Sequence, residues 1–109
     1  RSAALGPCLY IPENPIDPGT TISMSILRNN QPVFEGAIKI NMMKRSLPEL
    51  AGFLFRETDF PSGCFLMTGT CLVPDNDFTL LENDIVNISI DEIGTLSNRI
   101  IHKPLPVPA

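Results

Sequence analysis

Several absences narrow the field before any motif is read. No apolar run in the 109 residues approaches the roughly 20 needed to cross a bilayer, and the opening RSAALGPCLY is too short in its apolar part for a secretory signal. A membrane partner is therefore not expected, and a soluble, cytoplasmic protein is. A basic face is lacking too: 8 Lys and Arg stand against 12 Asp and Glu, mixed along the chain, for a net charge of -4. Such a chain has nothing with which to neutralise a phosphate backbone, so nucleic acid is excluded as a partner. Cys8, Cys64 and Cys71 are odd in number and contain no CxxC pair for redox work or zinc, which suggests buried thiols in a reducing compartment. The sole histidine, His102, has no serine or cysteine motif near it and reads as a surface residue rather than a catalytic base. Asp75, Asp77 and Asp84 crowd one stretch without the spacing, glycine or closing glutamate of a calcium loop, and read as solvated carboxylates. Neither catalytic nor metal-ligating residues can be assigned.

What the chain has is strand pattern. A 43% hydrophobic and 18% charged composition suits one globular domain. After the irregular IPENPIDPG, the run TTISMSIL alternates, with Ile22, Met24 and Ile26 on one face and Ser23 and Ser25 on the other. Asn29 and Asn30 tolerate the left-handed backbone of a tight hairpin turn, and PVFEG returns as a second strand, with Pro32 at its entry. AIKINMM keeps the alternation and extends the meander. DIVNISID places Val86, Ile88 and Ile90 opposite Asn87, Ser89 and Asp91, which also puts the sequon Asn87-Ile88-Ser89 inside a strand, a poor place for a sugar. LLEND is a turn, and EIGTLSN a bend at Gly94 followed by a closing strand.

One segment reads as a helix, residues 46–56. Ser46 and Glu49 form a capping box, Pro48 sits in the first turn, and Leu47, Leu50, Ala51 and Leu54 make a stripe directed at a core. Pro61 and Gly63 end it before an apolar strand, Phe65 to Met67. The expected fold is mainly β (α+β), a mixed sandwich-like roll with one helix. It occupies residues 1–103 as one domain, and the Pro-rich 104–109 form an extended tail. The chain opens without methionine and is expected to be a piece of something longer; strand edges left bare by truncation would favour self-association into a homo-oligomer.

The strand at Phe65 runs into Thr68-Gly69-Thr70, two hydroxyls flanking the residue that lets a ligand approach the backbone. Hydroxyls and free amides converging there would hold a carboxylate; an ordinary turn is the other reading. Lys44-Arg45, ahead of the helix, could likewise meet an anion or be simple surface charge. Cys71, next to an acidic run, is expected to pack rather than react.

The run TGTCLVPDNDFTLLENDIVNISIDEIGTLSN resembles the C-terminal part of the fumarylacetoacetate hydrolase family, in which a TGT corner precedes a turn, a strand and a GIGTL-type bend. ISMSILRNNQPVFEG, MMKRSLPELAGFLF and RSAALGPCL are similar to the preceding segments of that family, so the resemblance reaches from Arg1 to about Ile101. Cys71 stands where many hydrolases of the family have proline, and LVPDNDFTL is closer to the 2-keto-3-deoxy sugar acid dehydratase branch. Asn83 and Glu92 stand where the family favours glycine.

The resemblance implies a magnesium-dependent enzyme acting on a small-molecule 2-oxoacid through an enolate stabilised by the metal. In the dehydratase branch a 2-keto-3-deoxypentonate would become 2,5-dioxopentanoate. It implies that Thr70, the backbone at Gly69 and Thr68 hold the substrate carboxylate. The family's metal-binding acids, a Glu-x-Glu pair and a later Asp, lie upstream of the part that resembles this chain. Alone, the chain is then expected to be catalytically silent. An acylpyruvate or fumarylacetoacetate-type hydrolase, and an interaction module without chemistry, are the alternatives.

Overall fold

The computed structural model describes residues 3–70 and 72–108. Strands β1 (Thr21–Arg28) and β2 (Gln31–Lys39) come first, then helix α1 (Leu47–Leu54), then β3 (Ile85–Ile90) and β4 (Gly94–Arg99). They form one sheet in the order β2-β1-β3-β4, every neighbouring pair antiparallel. A mainly β fold with a single helix is thus borne out.

Two hairpins build the sheet, and their turns follow from local chemistry. Asn29 and Asn30 take φ of 51° and 61°, the double left-handed turn whose twist matches a two-residue hairpin. Between β3 and β4 the chain turns with Glu92 at φ 66° and Gly94 at 113°. A side chain at Glu92 makes that conformation costlier than glycine would, and the Glu92 carboxylate is held by the Tyr10 hydroxyl, which donates to it at 2.7 Å.

The period of two survives across the four strands apart from one register shift between β1 and β2, beyond Ile26 and Phe34. Ile22, Met24 and Ile26 lie opposite Ile90, Ile88 and Val86 on one side and Ile38, Gly36 and Phe34 on the other. Leu96 continues the row from Ile88 onto β4. The reverse face is polar: Ser23 and Ser25 oppose Ser89 and Asn87, and the Ser89 and Thr95 hydroxyls share a hydrogen bond of 2.6 Å. The apolar face is partly covered by two irregular segments. A Cβ on Gly36 would come within 3.1 Å of Leu72, and one on Gly6 within 3.3 Å of Leu96, so both glycines mark places where chain crosses close over the sheet.

Four expectations are corrected. AIKINMM does not stay extended: Lys39 pairs with Thr21, the first residue of β1, so the ladder has no further partner and the chain turns through a short 3₁₀ segment, Ile40–Met42. Phe65 to Met67 is not a strand. It has no ladder partner among the described residues, and its side chains are exposed. The helix forms where its cap predicts, with the Glu49 amide donating to Ser46 Oγ at 3.2 Å, but it ends at Leu54 and none of its residues is buried. Its stripe meets no buried core among the described residues. Cys8 and Cys64 are exposed rather than buried, for the same want of covering structure, and Cys71 lies outside the described residues.

The hydrophobic core is correspondingly thin. Among the described residues only Ile26 is a buried apolar side chain, at 3% exposure. A folded monomer of 12.0 kDa ordinarily exposes about 6,000 Å², whereas this chain exposes 9248 Å². Its radius of gyration is 16.8 Å against about 13 Å for a compact domain of this length.

Candidate functional site

The corner Thr68-Gly69-Thr70 lies on the path from α1 back to the sheet. Gly69 has φ 90°, a left-handed conformation that any Cβ would oppose, and a Cβ built there would meet nothing within 4 Å. Backbone geometry therefore demands the glycine, and the space beside it is open. The Thr70 hydroxyl lies 3.3 Å from both the amide and the carbonyl oxygen of Leu72, accepting from one and donating to the other. Both bonds are long, so the hydroxyl gives up little by exchanging one of them for a better acceptor.

Opposite the corner stands the segment that leaves β2. Its 3₁₀ turn is pinned by backbone bonds: the Ile40 amide donates to Thr20 O at 3.0 Å and the Asn41 amide to Pro18 O at 2.9 Å. Its last residue Met42, and Met43, Lys44 and Arg45 immediately after it, approach the corner before Ser46 caps α1. These four, with Ile22 of β1 and Leu50 of α1, line an open cavity of about 460 Å³ whose remaining wall is Thr68, Gly69 and Thr70. Two features that the sequence offered separately, the hydroxyl corner and the cationic pair, are thus brought to one place.

The acids are distributed otherwise. Asp84, read from sequence as a solvated carboxylate, is 1% exposed, because β1 and β3 pair and bring Arg28 against it. Arg28 donates through Nε to Oδ1 at 2.9 Å and through Nη2 to Oδ2 at 2.8 Å, and the Leu81 amide donates to Oδ2 at 2.8 Å. Those bonds from Arg28, helped by the Leu81 amide, pull the Asp84 carboxyl down to about 2. Arg28 Nη2 also donates to Thr79 O, and its guanidinium lies 5.6 Å from the Phe78 ring centroid. The clamp thus fixes the segment that leads from the corner back to β3. Sequence reading missed it because its partners lie 56 residues apart; only knowledge of the β1–β3 pairing reveals it.

Asp75, Asp77 and His102 are exposed. Glu13, Asp17, Asp91 and Glu92 border another cleft, beside Tyr10. Nowhere among the described residues do three His, Cys, Asp or Glu side chains converge as a metal site. No helix among them is long and apolar enough to cross a membrane.

No protein-family model matches the chain. It is 39% identical over 101 residues to the "Probable 2-keto-3-deoxyxylonate dehydratase" of Haloferax volcanii, covering 92% of this chain and 35% of that protein. It is 37% identical over 94 residues to the 2-dehydro-3-deoxy-D-arabinonate dehydratase of Saccharolobus solfataricus, covering 85% of this chain and 32% of that protein. Among solved structures, a hexagonal crystal form of 2-keto-3-deoxyarabinonate dehydratase superimposes with a TM-score of 0.77 at 35% identity, over 85% of this chain and 31% of that one. A 2-keto-3-deoxy-D-arabinonate dehydratase complexed with magnesium and 2,5-dioxopentanoate superimposes with a TM-score of 0.73 at 38% identity, over 80% and 30% of the two chains. The resemblance to the sugar acid dehydratase branch is borne out. The chain spans about a third of the length of the curated relatives it matches.

Proposed function

We propose that these residues are the C-terminal, substrate-orienting portion of a magnesium-dependent dehydratase that converts a 2-keto-3-deoxypentonate into 2,5-dioxopentanoate in the cytoplasm. The observation that carries the reading is the 39% identity running through 92% of the chain, the TGT corner's surroundings included. The thin core and the surplus surface support it as well, since a sheet face and a helix stripe left bare here would be covered by the rest of a larger enzyme.

The residues of this chain do not by themselves fit a magnesium site, since no three potential ligands converge among those described. In the proposed enzyme the metal ligands come from its remaining portion, and no step is assigned through the ion here. What this chain contributes is binding and orientation. Thr68 and Thr70 present hydroxyls, and the left-handed turn at Gly69 leaves the neighbouring amides open to a carboxylate. Fixing that carboxylate sets the direction in which the rest of the sugar acid extends, and orientation of this kind lowers the entropic part of the barrier.

The test is turnover by the longer protein that contains this chain, with 2-keto-3-deoxypentonate and magnesium as reactants. Formation of 2,5-dioxopentanoate is expected, together with a rise in KM and a fall in kcat/KM for Thr70→Val. Cleavage of an acylpyruvate without dehydration would replace this reading by a hydrolase, and wild-type kinetics for Thr70→Val would remove the corner from the site.

A further inference from the structure

The cavity beside the TGT corner has a charge character opposite to that of the chain. The chain carries a net charge of -4, yet the cavity is lined by Lys44 and Arg45 and by no carboxylate. Among the described residues neither cation takes part in an ion pair, the one such pair being Arg28 with Asp84. Twelve acids are available in the sequence to neutralise them. The corner facing them offers only neutral donors, two hydroxyls and backbone amides. Met42, Met43, Ile22 and Leu50 make the rest of the wall apolar, so no competing charge lies on it. Backbone anchoring on both sides fixes where the pair sits. The turn before it is hydrogen-bonded to Pro18 and Thr20, and the helix after it is capped by Ser46.

We infer that Lys44 and Arg45 are specificity-determining residues that supply the positive charge for the carboxylate held at Thr68-Gly69-Thr70. They make the site select anionic 2-oxoacids over neutral 2-oxo compounds. The inference rests on the reading of the corner as a carboxylate site and adds the charge selection that neutral donors alone would not provide. An Arg presents a planar fork to a carboxylate and a Lys a mobile point charge, so the two together suit a ligand whose second oxygen is engaged by the corner.

The experiment uses the longer protein and two small probes of matched shape, pyruvate and pyruvamide, with binding measured by calorimetry so that turnover is not needed. Lys44→Met, Arg45→Met and the double variant are compared with wild type at low and high salt, alongside Lys44→Arg and Arg45→Lys. The melting temperature of each variant is measured alongside, and the charge-conserving variants control for any loss of fold. The preference for pyruvate over pyruvamide should fall at least about tenfold in the double variant, the loss of a hydrogen bond to a charged group. Its salt dependence should flatten, and the charge-conserving variants should keep most of the preference. A double variant with wild-type preference and salt dependence, beside a Thr70→Val protein that has lost pyruvate binding, overturns the inference and leaves the corner reading standing. Wild-type pyruvate binding in both proteins overturns the two together.

Discussion

Replacing Gly69 by alanine separates a functional corner from an ordinary turn. At φ 90° an alanine Cβ is pressed against its own backbone, a strain of about 1–2 kcal/mol if the conformation is kept. Nothing lies within 4 Å of that Cβ, so a clash with neighbours adds nothing, and the loop can relax by rotating away. Relaxation at that cost lowers the population of the observed conformation about 5- to 30-fold. Thr68 to Thr70 are exposed and the Thr70 hydroxyl bonds only to Leu72, which lies close over Gly36 of β2, so the loss reaches the sheet through that one van der Waals contact. In the proposed dehydratase, kcat/KM for 2-keto-3-deoxypentonate should therefore fall by about that factor, chiefly through KM, while the melting temperature moves little. Gly52→Ala is the control: it lies in α1 with nothing within 4 Å of its Cβ, and should add about 0.5–1 kcal/mol of stability without altering kinetics. A Gly69→Ala enzyme with kcat/KM within about twofold of wild type would refute the argument, since the strain is set by backbone geometry and cannot be avoided in place.

The Arg28–Asp84 clamp gives an acid limb. Asp84 titrates near 2 when folded and at 3.8 otherwise, so its contribution is complete above about pH 4 and disappears as pH falls from there toward 2. Denaturant titrations at several pH values should show that limb in wild type and its loss in Asp84→Asn; an unchanged limb would mean that other carboxylates produce it. Ile26→Ala removes the buried apolar side chain from the centre of the sheet and should cost about 2 kcal/mol, the low end for such truncations, because the half-covered face admits water to the vacancy. A loss near 5 kcal/mol by chemical denaturation would mean that the face is better covered than it is here. The isolated chain should sediment above 12.0 kDa at micromolar concentration, driven by its unpaired β2 and β4 edges and bare apolar face. A monomer that retains a radius of gyration of 16.8 Å in small-angle scattering would count against that expectation.

Features set by neighbours in sequence were legible. The Asn29-Asn30 turn, the alternating faces, the Ser46 cap and the bend at Gly94 all follow from a few consecutive residues, and all are present. Features that need a partner were not. Phe65 to Met67 has a strand's composition but no ladder partner among the described residues, and the stripe of α1 has a helix's periodicity but buries none of its residues. The burial of Asp84 depends on a pairing 56 residues distant, which composition alone does not reveal. For the candidate site, glycine and hydroxyl chemistry pointed to the corner, while the approach of Lys44 and Arg45 depends on the chain turning at Ile40 instead of continuing as strand.

The topology has an evolutionary corollary. The β1–β2 and β3–β4 hairpins dock directly through β1 and β3, so the whole stretch from Ile40 to Asp84, with the cavity and its corner, is a single excursion between two self-contained units. Lengthening such an excursion costs closure entropy only logarithmically, about 0.6 kcal/mol per doubling. Its two ends are pinned independently, by backbone bonds to Pro18 and Thr20 at the start and by the Arg28–Asp84 clamp at the finish. In the proposed enzyme, exchange of residues inside that stretch would alter the cavity while the framework on either side is left alone, which makes it a replaceable cassette and the natural place to graft a new specificity.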